Sequence, residues 1–189
     1  ALRLKKAGND LMELVGGRAI HPVNVKVGGF YRMPTLTELE RLRPDLERGL
    51  EDSLAAVQLV STFDFPEMEQ DYNYVSLRHP DWYPLERGTE IVATSGARFP
   101  VGEIADHVNE FHVEHSNALH ASFDGDKYFV RPLARYSLNF DQLSPRCQEA
   151  ALKAGLGETC RNPFKSIIVR AVELAYAFEE ALRIIDEWS

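Results

Sequence analysis

Cysteine is scarce in this chain, which holds only Cys147 and Cys160 among 189 residues. Thirteen positions separate them, a spacing that fits no zinc or iron–sulfur ligand motif. They read as ordinary thiols packing as small hydrophobes, with a Cys147–Cys160 disulfide as the alternative. Such sparse usage suits a reducing, cytoplasmic compartment. Apolar runs long enough for a bilayer are missing, so no membrane span is expected. Runs of Lys and Arg are missing too. With a net charge of -8, the acidic surface repels phosphate backbones, and no nucleic-acid partner is expected. Gly16-Gly17 and Gly28-Gly29 lack the spacings of phosphate-binding loops, and no Gly-x-Ser-x-Gly elbow occurs. The N-terminus shows no signal-peptide pattern. It lacks an initiator Met and opens inside a helical pattern. A piece of a longer chain is the expectation, with trimming as the alternative.

What is present is a 44% hydrophobic composition, ample for a packed core. Leu2, Leu4, Leu11, Leu14 and Val15 predict an amphipathic helix over 2–15, ended by Gly16 and Gly17. Val23, Val25 and Val27 alternate with polar residues and predict a short strand. Thr37 with Glu40 suggests a capping box, and 45–60 carries helical spacing until Thr62–Pro66 stops it. Strand-like runs follow at 74–78, 91–94 and 97–100, then a helix over 101–112. Asp124-Gly125 predicts a hairpin joining 118–123 to 127–132. Residues 144–154 form a short helix. The longest helix is expected last, capped by Asn162 with Pro163 at its first position, running to about Trp188. The divisions are 1–63, helical with the glycine-bounded loop; 64–140, aromatic, proline-rich and β-containing; and 141–189, helical.

Two groups of residues invite a chemical reading. His112, His115 and His120 form a histidine-rich stretch, and imidazoles are common metal ligands. Yet the His-Glu-x-x-His pattern is absent, and a helix ending near His112 would explain the rings through its negative end. The segment Gly16–Gly29 is the other. Its paired glycines allow close backbone approach, and Arg18 and His21 bring hydrogen-bonding groups. It could line a site or simply turn a corner.

Gly17-Arg18-Ala19-Ile20-His21-Pro22 followed by Gly28-Gly29 resembles a signature segment of nickel–iron hydrogenase large subunits. Three stretches agree in the same order. Phe63-Asp64-Phe65-Pro66 is similar to the family's exit from its first long helix pair. Pro132-Leu133-Ala134-Arg135-Tyr136-Ser137-Leu138-Asn139 resembles its next motif, and Asn162-Pro163-Phe164 through Leu182 the long helix beyond. The details look closest to the cytoplasmic, multi-subunit group. One departure is Arg131, where the family pattern expects Gly before Pro-Leu-Ala-Arg. The larger departure is that neither of the family's metal-holding Cys-x-x-Cys motifs occurs. The arginine-bearing segment beside the metal site and the C-terminal processing region are missing as well.

The resemblance implies a mainly α fold with a small antiparallel β component (α+β), a long-helix bundle of the hydrogenase large-subunit type. It implies that the parent protein is an enzyme of reversible hydrogen oxidation at a nickel–iron centre. Electrons would leave to an iron–sulfur small subunit, then to further electron-carrier subunits. The 189 residues would be a scaffold and partner-docking part, with no metal and no hydrogenase activity of their own. Arg18, His21, Pro22, Gly28 and Gly29 would form the subunit-interface or electron-exit loop. The alternatives are a stand-alone helical binding domain and, more distantly, a histidine-based metalloprotein.

Overall fold

The computed structural model describes residues 2–188. The chain forms two compact units, one made of residues up to Val60 together with those from Ala171 onward, the other of Ser61–Arg170.

In the first unit, α1 (Leu2–Gly16) leads into the short hairpin of β1 (Val25–Lys26) and β2 (Gly29–Phe30), then α2 (Leu36–Glu40) and α3 (Arg43–Ser61). The capping box at α2 lies two residues earlier than the sequence suggested. Thr35 accepts from the Glu38 amide, and the Glu38 carboxylate accepts from the Thr35 amide at 2.8 Å. Both Thr-x-x-Glu frames exist here. The Arg32 guanidinium pairs with Glu38 and not with Glu40, and this favours the earlier frame. Burial of Leu46, Leu50 and Val57 at helical spacing gives α3 its inner face. Gly49 lies on that face because Phe178 of the last helix occupies the space above it. A Cβ there would come within 2.5 Å of the ring.

The second unit is built on an antiparallel sheet, β3 (Val75–Arg78), β4 (Glu90–Ala93) and β5 (Arg98–Pro100), in that order. Alternation puts Val75, Ile91, Ala93 and Phe99 on one face, where they pack with the fully buried Phe123. The helix expected over 101–112 is largely absent. A 3-10 turn at Val101–Glu103 and one helical turn, α4 (Ile104–His107), give way to β6 (Val108–Val113). This strand pairs with β7 (Ser116–Phe123), with Phe111 opposite His120 and a bulge before Val113. Cross-strand pairing of β-branched and aromatic residues overrides a weak local helical preference.

The Asp-Gly turn does form. Asp124 and Gly125 both have positive φ (50° and 85°), and Phe123 and Asp126 exchange backbone hydrogen bonds. The pairing ends there, however, because β6 already occupies the free edge of β7. The chain leaves past Tyr74, bridged in parallel by Phe129, and enters α5 (Pro132–Asn139). Pro132 begins that helix in place of the expected strand, since a proline at the first position has its φ already set. α6 (Pro145–Lys153) is capped by Ser144, and α7 (Ser166–Asp186) follows a turn capped by Asn162. No helix of the described residues is long and apolar enough to cross a membrane.

Candidate functional site

The Gly16–Gly29 segment is a compact, hydrogen-bonded loop. Gly17 closes α1 in the left-handed conformation (φ 85°), its amide donating to the Glu13 carbonyl at 2.9 Å. Gly16 is buried, and a Cβ added to it would lie 2.8 Å from the Pro22 Cβ. Pro22 therefore folds back onto the helix end, and only glycine leaves room for it. The free Gly16 carbonyl accepts from the amides of Val23 and Asn24 at 2.8 and 2.9 Å. Arg18 Nε donates to the His21 carbonyl at 2.6 Å, holding a turn in which His21 itself has positive φ (52°). The side chains of Arg18, His21 and Pro22 remain exposed.

Asn24 organises the far side of the loop, a role that sequence reasoning missed. Its amide nitrogen donates to the carbonyls of Val15 and Arg32 at 2.8 and 2.6 Å. Its amide oxygen accepts from the Arg32 amide at 2.9 Å. A single asparagine in a valine-rich run between glycine pairs was the available signal. Gly28 and Gly29 turn the hairpin with φ of 83° and 150°, where a side chain would be strained rather than crowded.

The surface so held is apolar and basic. Ile20 is 71% exposed, Val27 105% and Tyr31 73%. Residues 14–37 include Arg18, Lys26 and Arg32 and no Asp or Glu, a local reversal in a chain of net charge -8. Beside the loop, hydrogen bonds from Thr35 and Arg32 hold the Glu38 carboxyl down at about 2.

The histidines stand differently from expectation. They sit on the β6–β7 hairpin and not at a helix end. His115 and His120 meet edge to face with ring centroids 5.6 Å apart, and His120 also lies beside Phe111. Among the described residues, no three His, Cys, Asp or Glu side chains are placed to share a metal ion. Cys147 and Cys160 are buried free thiols, so the disulfide alternative is overturned. Desolvation raises the Cys160 thiol above its ordinary value. Two separately buried, protonated sulfurs are not a thiolate donor set for nickel and iron, and no step of hydrogen chemistry is derived from these residues.

No protein-family model matches the chain. Across 99% of its length it is 32% identical to the alpha subunit of sulfhydrogenase 1 from Pyrococcus furiosus, of which it covers 44%. It is 25% identical to the vhu large component of the F420-non-reducing hydrogenase from Methanocaldococcus jannaschii, covering 99% of this chain and 49% of that one. Among solved structures, an NAD+-reducing [NiFe]-hydrogenase aligns with a TM-score of 0.74 at 20% identity, covering 97% of this chain and 46% of that one. The [NiFeSe] hydrogenase of Desulfovibrio vulgaris Hildenborough aligns with a TM-score of 0.71 at 18% identity, over 100% and 48%. The structural matches establish the fold, and the α+β expectation holds. The chain spans under half the length of these relatives and belongs, in sequence and in fold, to the large (alpha) subunits of the nickel–iron hydrogenases.

Proposed function

We propose that the chain is the scaffold and partner-docking part of a large subunit that carries out reversible hydrogen oxidation, H2 to two protons and two electrons. The nickel–iron centre of that parent protein is held by residues outside these 189. The observation that carries the docking role is the rigid loop between Gly16 and Gly29, with Ile20 and Val27 turned to solvent. Water-facing aliphatic side chains on a hydrogen-bonded frame suit an interface that needs little reordering on association. Arg18, His21, Pro22, Gly28 and Gly29 form the subunit-interface or electron-exit loop in this reading. The partner is an iron–sulfur small subunit, with further electron-carrier subunits beyond it, in the cytoplasm. A hydrogen bond donated by the His21 ring toward a cluster would tune its potential.

The relationship to hydrogenase large subunits along 99% of the chain supports this reading over a stand-alone binding domain. His21→Ala in the intact enzyme tests it. Slower electron delivery to the carrier, or weaker association of the two subunits on size-exclusion chromatography, is the expected result. Unchanged activity together with unchanged assembly would overturn it.

A further inference from the structure

The second unit contains a cleft of about 320 Å³, and none of its lining residues belongs to the Gly16–Gly29 loop. Its walls include Leu77, Ile91, Ile104 and Val130, and Arg131 and Arg135 lie at its polar side. No carboxylate lines it, although the whole chain has 29 acids against 21 bases. Among the described residues, the exposed Arg131 guanidinium forms no ion pair. Its backbone is unusual as well. Arg131 has φ 79° and ψ -161°, a region almost confined to glycine. The family pattern expects glycine there, so the chain carries a cation at a position its backbone disfavours.

We propose that this cleft binds a small amphiphilic carboxylate, a short-chain organic acid. Its alkyl part would lie against Leu77, Ile91, Ile104 and Val130, and its carboxylate would meet Arg131. A guanidinium presents paired donors that match a carboxylate, and the apolar walls remove the alkyl part from water. Small-molecule sites begin at roughly 300 Å³, so the cleft suits an acid of about six to eight carbons. Inorganic anions would use only the arginine, and neutral alcohols only the walls.

Hexanoate is a direct probe, titrated calorimetrically into the intact protein carrying this chain. Saturable one-site binding is expected, with acetate and hexanol each much weaker. Arg131→Gly should weaken hexanoate roughly tenfold or more, as expected for a lost charge-assisted contact. The same variant should melt no lower than the parent, because glycine relaxes the backbone, so the loss is not one of folding. Val130→Trp, which narrows the cleft and keeps Arg131, should also lose hexanoate. Undiminished binding by Arg131→Gly, acetate binding as tightly as hexanoate, or no saturable binding at all would overturn the proposal.

Discussion

Asn139 and Arg78 hold α5 to the edge of the sheet through a reciprocal set of hydrogen bonds. Asn139, wholly buried, donates its amide to the carbonyls of Leu77 and Arg135 at 3.1 and 2.9 Å. Arg78, the next residue along β3, reaches back to the Leu138 carbonyl at 3.0 Å and to the Asn139 amide oxygen at 3.4 Å. Its second nitrogen pairs with Asp141 at 2.7 Å. Every polar atom of the buried amide is satisfied, which is the condition under which a buried polar group holds a fold in place.

Asn139→Ala strands the Leu77 carbonyl in a buried setting. A loss of about 1–3 kcal/mol is expected, read from urea or thermal unfolding of the intact chain. A loss below a few tenths of a kcal/mol would mean that water replaces the amide.

Gly49→Ala pushes a methyl into the Phe178 ring. Overpacking of this kind costs about 1–3 kcal/mol. Shortening the opposing side chain in the double variant Gly49→Ala/Phe178→Leu should recover part of that cost, and the double-mutant cycle measures the coupling. Additive losses would show that the two positions do not meet.

Glu38 predicts an acid-sensitive helix start. Its carboxyl is lowered from the ordinary value of 4.5 to about 2 by bonds that exist only when the chain is folded. A depressed carboxyl stabilises the folded state above its unfolded value, and that contribution fades as pH falls from about 4.5 toward 2. Glu38→Gln should flatten the stability profile across that window while leaving stability near pH 1 unchanged. An identical pH profile in the variant would contradict this.

Cys147 and Cys160 should resist alkylation in the folded protein. Both are buried, and desolvation favours the unreactive thiol at Cys160. Mass spectrometry after iodoacetamide treatment should find little label at either cysteine in native buffer, and full label at both in denaturant. Fast native labelling of Cys160 would show that its loop opens readily.

The candidate loop is legible in the sequence because glycine leaves a mark wherever backbone geometry excludes other residues. Gly17 and Gly28 mark left-handed positions, and Gly16 marks the close approach of Pro22. Asn24 is not legible in the same way. Its three hydrogen bonds reach Val15 and Arg32, on either side of the loop, and such reach has no periodic signature. The same holds for 101–112. Acids and apolar residues there are compatible with a helix, and only the pairing of Phe111 with His120 makes it a strand.

By itself, the sequence determined the helices over 2–16 and 43–61 and the long C-terminal one, because a repeating apolar face and a capping residue act within a few residues of each other. It also determined the family, through the Gly-Arg-x-x-His-Pro loop and the order of the motifs after it. Tertiary structure alone decided which strand β7 would take as partner, which threonine would cap α2, and whether the three histidines would meet. Those outcomes depend on contacts between distant residues, where the free energy of pairing and burial exceeds local propensity.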